Sequence, residues 1–358
     1  MPSETTKIQK CKEEAKEGEL PYWSKSRLLT AEKCWRNFYY TYVLGRRAEE
    51  TDAMKQGTRV HYTYEVYYEN LLEHYEDGGT LPDCPKDLTR FLPEDVLLWA
   101  DWTDMVSSFI AWELERAEAA KEHAAKKFRS LDDPRDGKTV IEYALDAWLP
   151  RGVEEEGWLE QGDGPDWMGF ADVIVPSASV PEVSGNDGVV IVDFKTGKTP
   201  DEKYRDDGIF LQGEYYGMIF SEDYKVDGIA GYYPKNHDFL VDEPDPERQA
   251  YVQKIIADGN RKMNTTPPDM NPEMEDFGIS PGALCHYGDG KCDNYDDCES
   301  DWGKPFEEKK TFIGMIESGY DQDMIAEHMG IDSYWPLQDE FFNPVWYGQY
   351  KLEKLGEL

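Results

Sequence analysis

Val189-Val190-Ile191-Val192-Asp193-Phe194-Lys195-Thr196-Gly197-Lys198 is the stretch that decides the fold. Four β-branched residues in succession mark a buried strand. The run then ends on a carboxylate, an aromatic and an ammonium. Side chains alternate along a strand, so Asp193 and Lys195 share one face and Phe194 takes the other. Upstream, Gly169-Phe170-Ala171-Asp172-Val173-Ile174-Val175 sets a second Asp in an apolar run. A carboxylate in a buried strand is costly unless it is paired or holds a metal. Two carboxylates and an ammonium converging at strand ends suit Mg2+ or Mn2+ bound through oxygen, with the lysine orienting an attacking water. Taken singly, an Asp-x-Lys is commonly a surface ion pair and a strand-end Asp a turn residue. Their order on successive strands carries the weight.

Outward from these strands the periodicity predicts an α/β core. Helices are expected over Ser26–Leu44, capped by Ser26 and ended by Gly45, and over Val60–Tyr75 and Pro93–Lys127. Strands are expected over Thr139–Leu149, Trp167–Val175, Val189–Phe194 and Ile229–Tyr233. Ile209–Phe220 and Arg248–Met263 read as helices. The sum is a short mixed β-sheet flanked by helices. Glu142, in the first of these strands, is a further acid for the site. Residues 1–23 are charged and patternless, a flexible lead-in. A Pro-rich acidic loop leads into a cysteine cluster, and beyond it residues 301–358 form a small helical appendage.

Other motifs fall in order around the pair. Ser24-Lys25-Ser26-Arg27-Leu28 runs on to Cys34-Trp35-Arg36-Asn37-Phe38-Tyr39-Tyr40-Thr41-Tyr42. Gly57-Thr58-Arg59-Val60-His61-Tyr62-Thr63-Tyr64-Glu65 follows, and Gln212-Gly213-Glu214-Tyr215-Tyr216 lies downstream. Together these resemble the motifs of the RecB/AddB-like branch of the PD-(D/E)XK nucleases. That branch includes CRISPR-associated RecB-like exonucleases and viral exonucleases. The resemblance spans roughly residues 24–300. It implies a restriction-endonuclease-like core and a metal held by His61, Asp172, Asp193 and the backbone carbonyl of Phe194. Lys195 would be the catalytic lysine acting with Asp172 and Asp193. Gln212 and Tyr216 would position DNA, with Arg27 and Arg36 as further DNA contacts. Glu65, one turn after His61, can orient the imidazole. The activity implied is Mg2+- or Mn2+-dependent hydrolysis of DNA phosphodiester bonds, as an exonuclease on single-stranded or end-resected DNA. Recombination, repair or viral DNA processing is the setting, with a recombination or replication protein as partner. A non-catalytic DNA-binding adaptor keeping the fold is the alternative; intact Asp172, Asp193 and Lys195 count against it.

Six cysteines are present, three of them clustered at Cys285, Cys292 and Cys298 in a Gly- and Asp-rich loop. Thiolates so spaced point to metal rather than to packing. The resemblance implies a 4Fe-4S cluster with Cys34 as the fourth ligand, tying the opening helix to the C-terminal loop. Six residues separate Cys285 from Cys292, more than the family's usual spacing, so Zn2+ remains an alternative. Cys11 and Cys84 fit no pattern.

Charge bounds the rest. With 38 basic and 74 acidic residues the formal net charge is −36. The acids are spread along the whole chain, which favours a high-salt cytoplasm over a single cationic partner. DNA binding nevertheless needs cations. From Ser24 to Tyr62 there are eight basic residues against four acids, and that window carries two of the motifs. No stretch approaches the roughly 18 apolar residues of a membrane span, and the N-terminus lacks a secretory apolar core. Cytoplasmic residence is expected, in the host if the source is viral. Residues 312–331 begin like a helix-turn-helix, with Ala326 and Gly330 at the turn. The following stretch has no Lys or Arg for DNA, which disfavours a regulator.

Overall fold

The computed structural model describes residues 7–14, 20–46, 51–94, 103–130, 137–162, 164–183, 187–202, 205–265, 277, 286–287, 290–292, 294 and 324. Cys285, Cys298 and all of the C-terminal appendage except Met324, including the rest of its helix-turn-helix-like segment, lie outside them. In chain order the elements are α1 (Lys7–Glu14), β1 (Trp23–Ser24), α2 (Lys25–Lys33), α3 (Trp35–Phe38), α4 (Asp52–Tyr75), α5 (Pro85–Thr89) and α6 (Thr103–Ser130). Then follow α7 (Val140–Trp148), β2 (Gly152–Leu159), β3 (Trp167–Pro176), β4 (Val189–Phe194), α8 (Leu211–Phe220), β5 (Val226–Tyr233), β6 (Asp238–Asp242), α9 (Pro246–Thr265), β7 (His286–Tyr287) and β8 (Gly290–Lys291). Among the described residues, no helix is long and apolar enough to cross a membrane.

The chain divides into two units. Tyr22–Lys25 with Glu50–Ile256 carries a mixed six-stranded sheet in the order β1-β3-β4-β5-β6, with β2 also paired to β3. This is the short mixed sheet with flanking helices that the sequence predicts. β3 is its hub. β2 runs antiparallel along its length from Trp167 to Ile174 and so occupies one edge. The other edge is shared: β1 pairs in parallel with Trp167 and Met168, and β4 pairs antiparallel from Val173 to Pro176. The two short partners therefore run towards each other along one edge of β3 and, among the described residues, leave 169–172 without a ladder partner on that side. The candidate active site lies in this gap.

Alternation gives the sheet two unlike faces. Val173, Val175, Val190, Val192, Phe194 and Tyr232 point into an aromatic core with Tyr64, Tyr67 and Tyr68 of α4, Phe109 and Trp112 of α6, and Trp148 of α7. Phe194 sits among them, its ring 4.7 Å from Tyr64 and 5.8 Å from Phe109 between centroids. The opposite face bears Asp172 and Asp193 and is covered by α8. Close packing there depends on missing side chains: a Cβ on Gly213 would stand 2.8 Å from Ile229 Cβ, and one on Gly169 would stand 2.7 Å from the Tyr216 ring.

The structure departs from the sequence reading at four places. Thr139–Leu149 is not a strand: Val140–Trp148 is helix α7, begun by a capping box in which Thr139 and Glu142 satisfy each other's backbone N–H. Glu142 is thereby a cap and not a site acid. The helix expected over Ser26–Leu44 is interrupted at Cys34, whose φ of −164° and ψ of 112° are extended; the segment resumes as α3 and a π-turn over Tyr39–Val43. Strand β2, with its run of three glutamates, is absent from the sequence reading. Lys7–Glu14, within the segment expected to be patternless, is helical.

The second unit comprises Met1–Pro21, Ser26–Glu49 and Ala257–Leu358. Within it Asn294 donates to Asn37 Oδ1 at 2.7 Å and to Thr41 at 3.3 Å. The segment two residues after Cys292 thus lies against the segment three residues after Cys34.

Candidate active site

The carboxylates come from the strand pair already described. Continuing the β3–β4 register one rung beyond Val173↔Val192 sets Asp172 opposite Asp193. There the strands part, and Asp172 Oδ2 accepts the Phe194 backbone N–H at 2.6 Å. A side chain takes over a hydrogen bond that the separating ladder no longer makes. Lys195 N–H is satisfied instead by Tyr232 O at 2.9 Å. Phe194 anchors this turn-off point, because its ring is fixed in the aromatic core while its flanking residues face the acids.

Asp193 is buried and bears two ammoniums. Lys195 pairs with its Oδ2, and Lys25 Nζ lies 2.7 Å from its Oδ1. Burial alone would push the Asp193 carboxyl up, but Lys195 and Lys25 together hold it well below the usual carboxylate range. The two lysines shift in opposite directions. Burial lowers the Lys195 pKa despite Asp193. Burial also opposes the charge on Lys25, yet Asp193, Tyr216 and Asp172 outweigh it and hold that ammonium far above its ordinary value. Lys195 Nζ also donates to Gln212 Oε1 at 2.8 Å. Tyr216, one turn along α8 from Gln212, has its ring centroid 5.3 Å from Lys25 Nζ, and burial raises its hydroxyl pKa.

His61 reaches the same place from α4, with Nδ1 3.2 Å from Asp172 Oδ1. Burial disfavours its charged form, but the hydrogen bond that the ring donates to Asp172, with the charge of that carboxylate, overrides this and raises its pKa. Among the described residues, one group of metal-type donors converges: His61, Asp172 and Glu154, one donor atom of each within 4.8 Å of the others. Glu154 falls between the Val153↔Val173 and Glu155↔Ala171 rungs of the β2–β3 ladder, level with Asp172, and its φ of +44° is left-handed. Such backbone costs a non-glycine residue about 1–3 kcal/mol and concentrates at functional sites. Burial, with Asp172 next, pushes the Glu154 carboxyl up to about 7.

The sequence-predicted residues thus divide. The structure brings together His61, Asp172, Asp193, Lys195, Gln212 and Tyr216. Glu65 is half-buried one turn along α4, near enough for its charge to act on Glu154, but among the described residues it makes no hydrogen bond to His61. Arg27 and Arg36 belong to the second unit, where Arg27 lies over Tyr42 and buried Arg36 over Tyr40. Cys34 and Cys292 are both half-buried there. Two residues were missed. Lys25 looks like any exposed lysine before a helix. Glu154 lies in a triple-glutamate run whose signal, Gly152 followed by Val153 and then Trp158 at the far end, is too weak to mark a strand.

Residues 22–295 match the model of the PD-(D/E)XK nuclease superfamily. The chain belongs to that superfamily. The match takes in both strands bearing the acids, α4 and α8, and reaches the first two clustered cysteines. No curated protein matches the sequence. For a PD-(D/E)XK protein the donor set is apt: hard carboxylate oxygens with one imidazole suit Mg2+ or Mn2+.

Proposed function

We propose that this PD-(D/E)XK protein is a Mg2+- or Mn2+-dependent deoxyribonuclease, an exonuclease of the RecB/AddB-like branch acting on single-stranded or end-resected DNA. The observation that carries the reading is the convergence of His61, Asp172, Asp193 and Lys195 in the gap between β1 and β4. His61, Asp172, Asp193 and the Phe194 carbonyl would hold the ion, with Glu154 beside them. When bound, it supplies Lewis-acid polarisation of a phosphoryl oxygen and acidifies a water. Lys195, more ready than an ordinary lysine to give up its proton, orients the attacking water while Gln212 Oε1 fixes its head. Gln212 and Tyr216 offer neutral donors to phosphate oxygens. The aromatic clamp on Phe194 holds the Asp193–Lys195 turn rigid, so the reacting groups lose little freedom on binding DNA.

In the second unit, Cys34, Cys285, Cys292 and Cys298 bind a 4Fe-4S cluster, with Zn2+ the alternative. The Asn294 bonds to Asn37 and Thr41 support the pairing of these segments. A brown protein absorbing near ~400 nm after anaerobic purification distinguishes iron–sulfur from zinc. The net charge of −36 supports work in a high-salt cytoplasm, of a cell or of a virus's host. The pathway is recombination, repair or viral DNA processing, alongside a recombination or replication protein.

The test is digestion of end-labelled single- and double-stranded DNA in high KCl with Mn2+ or Mg2+, with Lys195→Ala beside the wild type. Metal-dependent cleavage that the variant loses supports the reading, and a ladder shortening from one end makes it exonucleolytic. A folded, cluster-bearing wild type that leaves DNA intact sinks it in favour of the adaptor.

A further inference from the structure

Lys25 has no role in the reaction as described, yet it occupies the centre of the site. It directly follows β1, and Asp193 lies at the end of β4, so the two strands that approach each other along β3 bring these side chains together. Its Nζ is 2.7 Å from Asp193 Oδ1, and its side chain keeps 24% exposure while that of Asp193 keeps 4%. From this geometry we infer that Lys25 is a tethered cation seated on Asp193 until a divalent ion takes that carboxylate, and that it then becomes a ligand for a non-bridging oxygen of the DNA phosphate.

The inference rests on the nuclease reading and concerns how metal and substrate enter the same site. Asp172 and Asp193 carry two negative charges, and Lys25 and Lys195 carry two positive ones. This four-residue set is balanced without metal. A divalent ion held by Asp193 leaves it with a surplus of two positive charges, which repels one ammonium and attracts a phosphodiester anion. Lys195 is retained by its hydrogen bond to Gln212 Oε1. Lys25 instead leans on Tyr216, the side chain through which DNA is expected to be positioned. Its departure from Asp193 therefore carries it towards the substrate. Burial makes the exchange consequential, because a charge leaving a nearly dry carboxylate must find another partner.

The linkage is reciprocal: whatever draws Lys25 to phosphate frees Asp193 for metal, so metal and DNA bind cooperatively. The experiment is a Mn2+ titration followed by electron paramagnetic resonance. It uses the full chain, cluster intact and freed of divalent ions, with and without an oligothymidylate bearing phosphorothioate linkages. Lys25→Met should bind Mn2+ alone about tenfold more tightly than wild type, and Lys25→Arg should resemble wild type. The oligonucleotide should tighten Mn2+ binding several-fold in the wild type and leave Lys25→Met unchanged. Lys25→Gln repeats the test if the methionine variant fails to fold by circular dichroism. Equal or weaker Mn2+ binding by both neutral variants would make the ion pair a structural clamp and overturn the inference. Undiminished coupling to the oligonucleotide in those variants would overturn the phosphate role. A wild type that binds no Mn2+ and leaves DNA intact removes the nuclease reading, and this inference with it.

Discussion

The Glu113–Arg116 pair and the Asp193 cluster of the sheet-bearing unit both take charge out of water, one on each side of the sheet. On the aromatic side, Glu113 and Arg116 of α6 are almost fully buried and pair at 2.5 Å. Tyr68 donates to Glu113 Oε1 at 2.8 Å, and Arg116 reaches Trp148 O at 2.6 Å and Ser179 Oγ at 3.1 Å. Each charge there is matched by groups fixed in the core, joining α4, α6, α7 and the segment after β3. On the other side, Asp193 is equally dry, but its two cations are not: the Lys25 and Lys195 side chains keep 24% and 27% of their surface exposed. The first arrangement is closed and can only hold the fold. The second has one buried end and one wet end, so its charges can be exchanged. Burial alone does not mark a functional ion pair; access to a replacement partner does.

The largest effect that sharpens this contrast is on rate. Lys195→Ala should lower cleavage by about 10²–10⁴-fold, the ordinary worth of a positioned acid–base group, while leaving the unfolding midpoint nearly unchanged. Asp193 retains Lys25 in that variant. If the variant instead unfolds, the two pairs are alike and the comparison breaks.

Arg116→Ala is the mirror image. Removing one partner of a buried pair costs about 3–5 kcal/mol because the other charge is stranded. Urea unfolding should show that loss, and the folded fraction should cleave DNA at the wild-type rate. A rate defect in fully folded protein would contradict the purely structural assignment.

Glu154 provides the smallest and most diagnostic effect. Its carboxyl is pushed from 4.5 to about 7 in the fold. A raised folded-state pKa contributes stability below the unfolded value that is lost as pH climbs from there through about 7. Metal-free Glu154→Gln should therefore be more stable than wild type at pH 8 by about 1–2 kcal/mol after allowing for solvent screening, and equal to it at pH 4. Mn2+ affinity should move the opposite way. It should rise in the wild type as pH passes about 7 and Glu154 ionises, with a shallower slope in the variant. Identical slopes would remove Glu154 from the donor set.

Part of this was legible in the chain. Asp172, Asp193 and Lys195 follow from apolar strand runs and their alternation, which are local properties of the backbone. His61, Gln212 and Tyr216 were legible only through the motifs of the family resemblance, since a residue on a helix carries no signal of what it faces. The capping box Thr139-x-x-Glu142 was written in the sequence as well, but the β-branched Val140 and Ile141 and the aromatics after them favoured the strand reading. Glu113 and Arg116, three apart on a charge-laced helix, are indistinguishable from a surface pair such as Lys55 and Asp52.

What the sequence determined by itself is therefore the two acid-bearing strands and the shared face of Asp193 and Lys195. Tertiary structure decided which charges meet. Lys25 reaches Asp193 because β1 and β4 share one edge of β3, and Glu154 faces Asp172 because β2 takes the other. Coulomb and desolvation energies depend on distance and burial through space, and residues 168 positions apart acquire both only when the sheet closes.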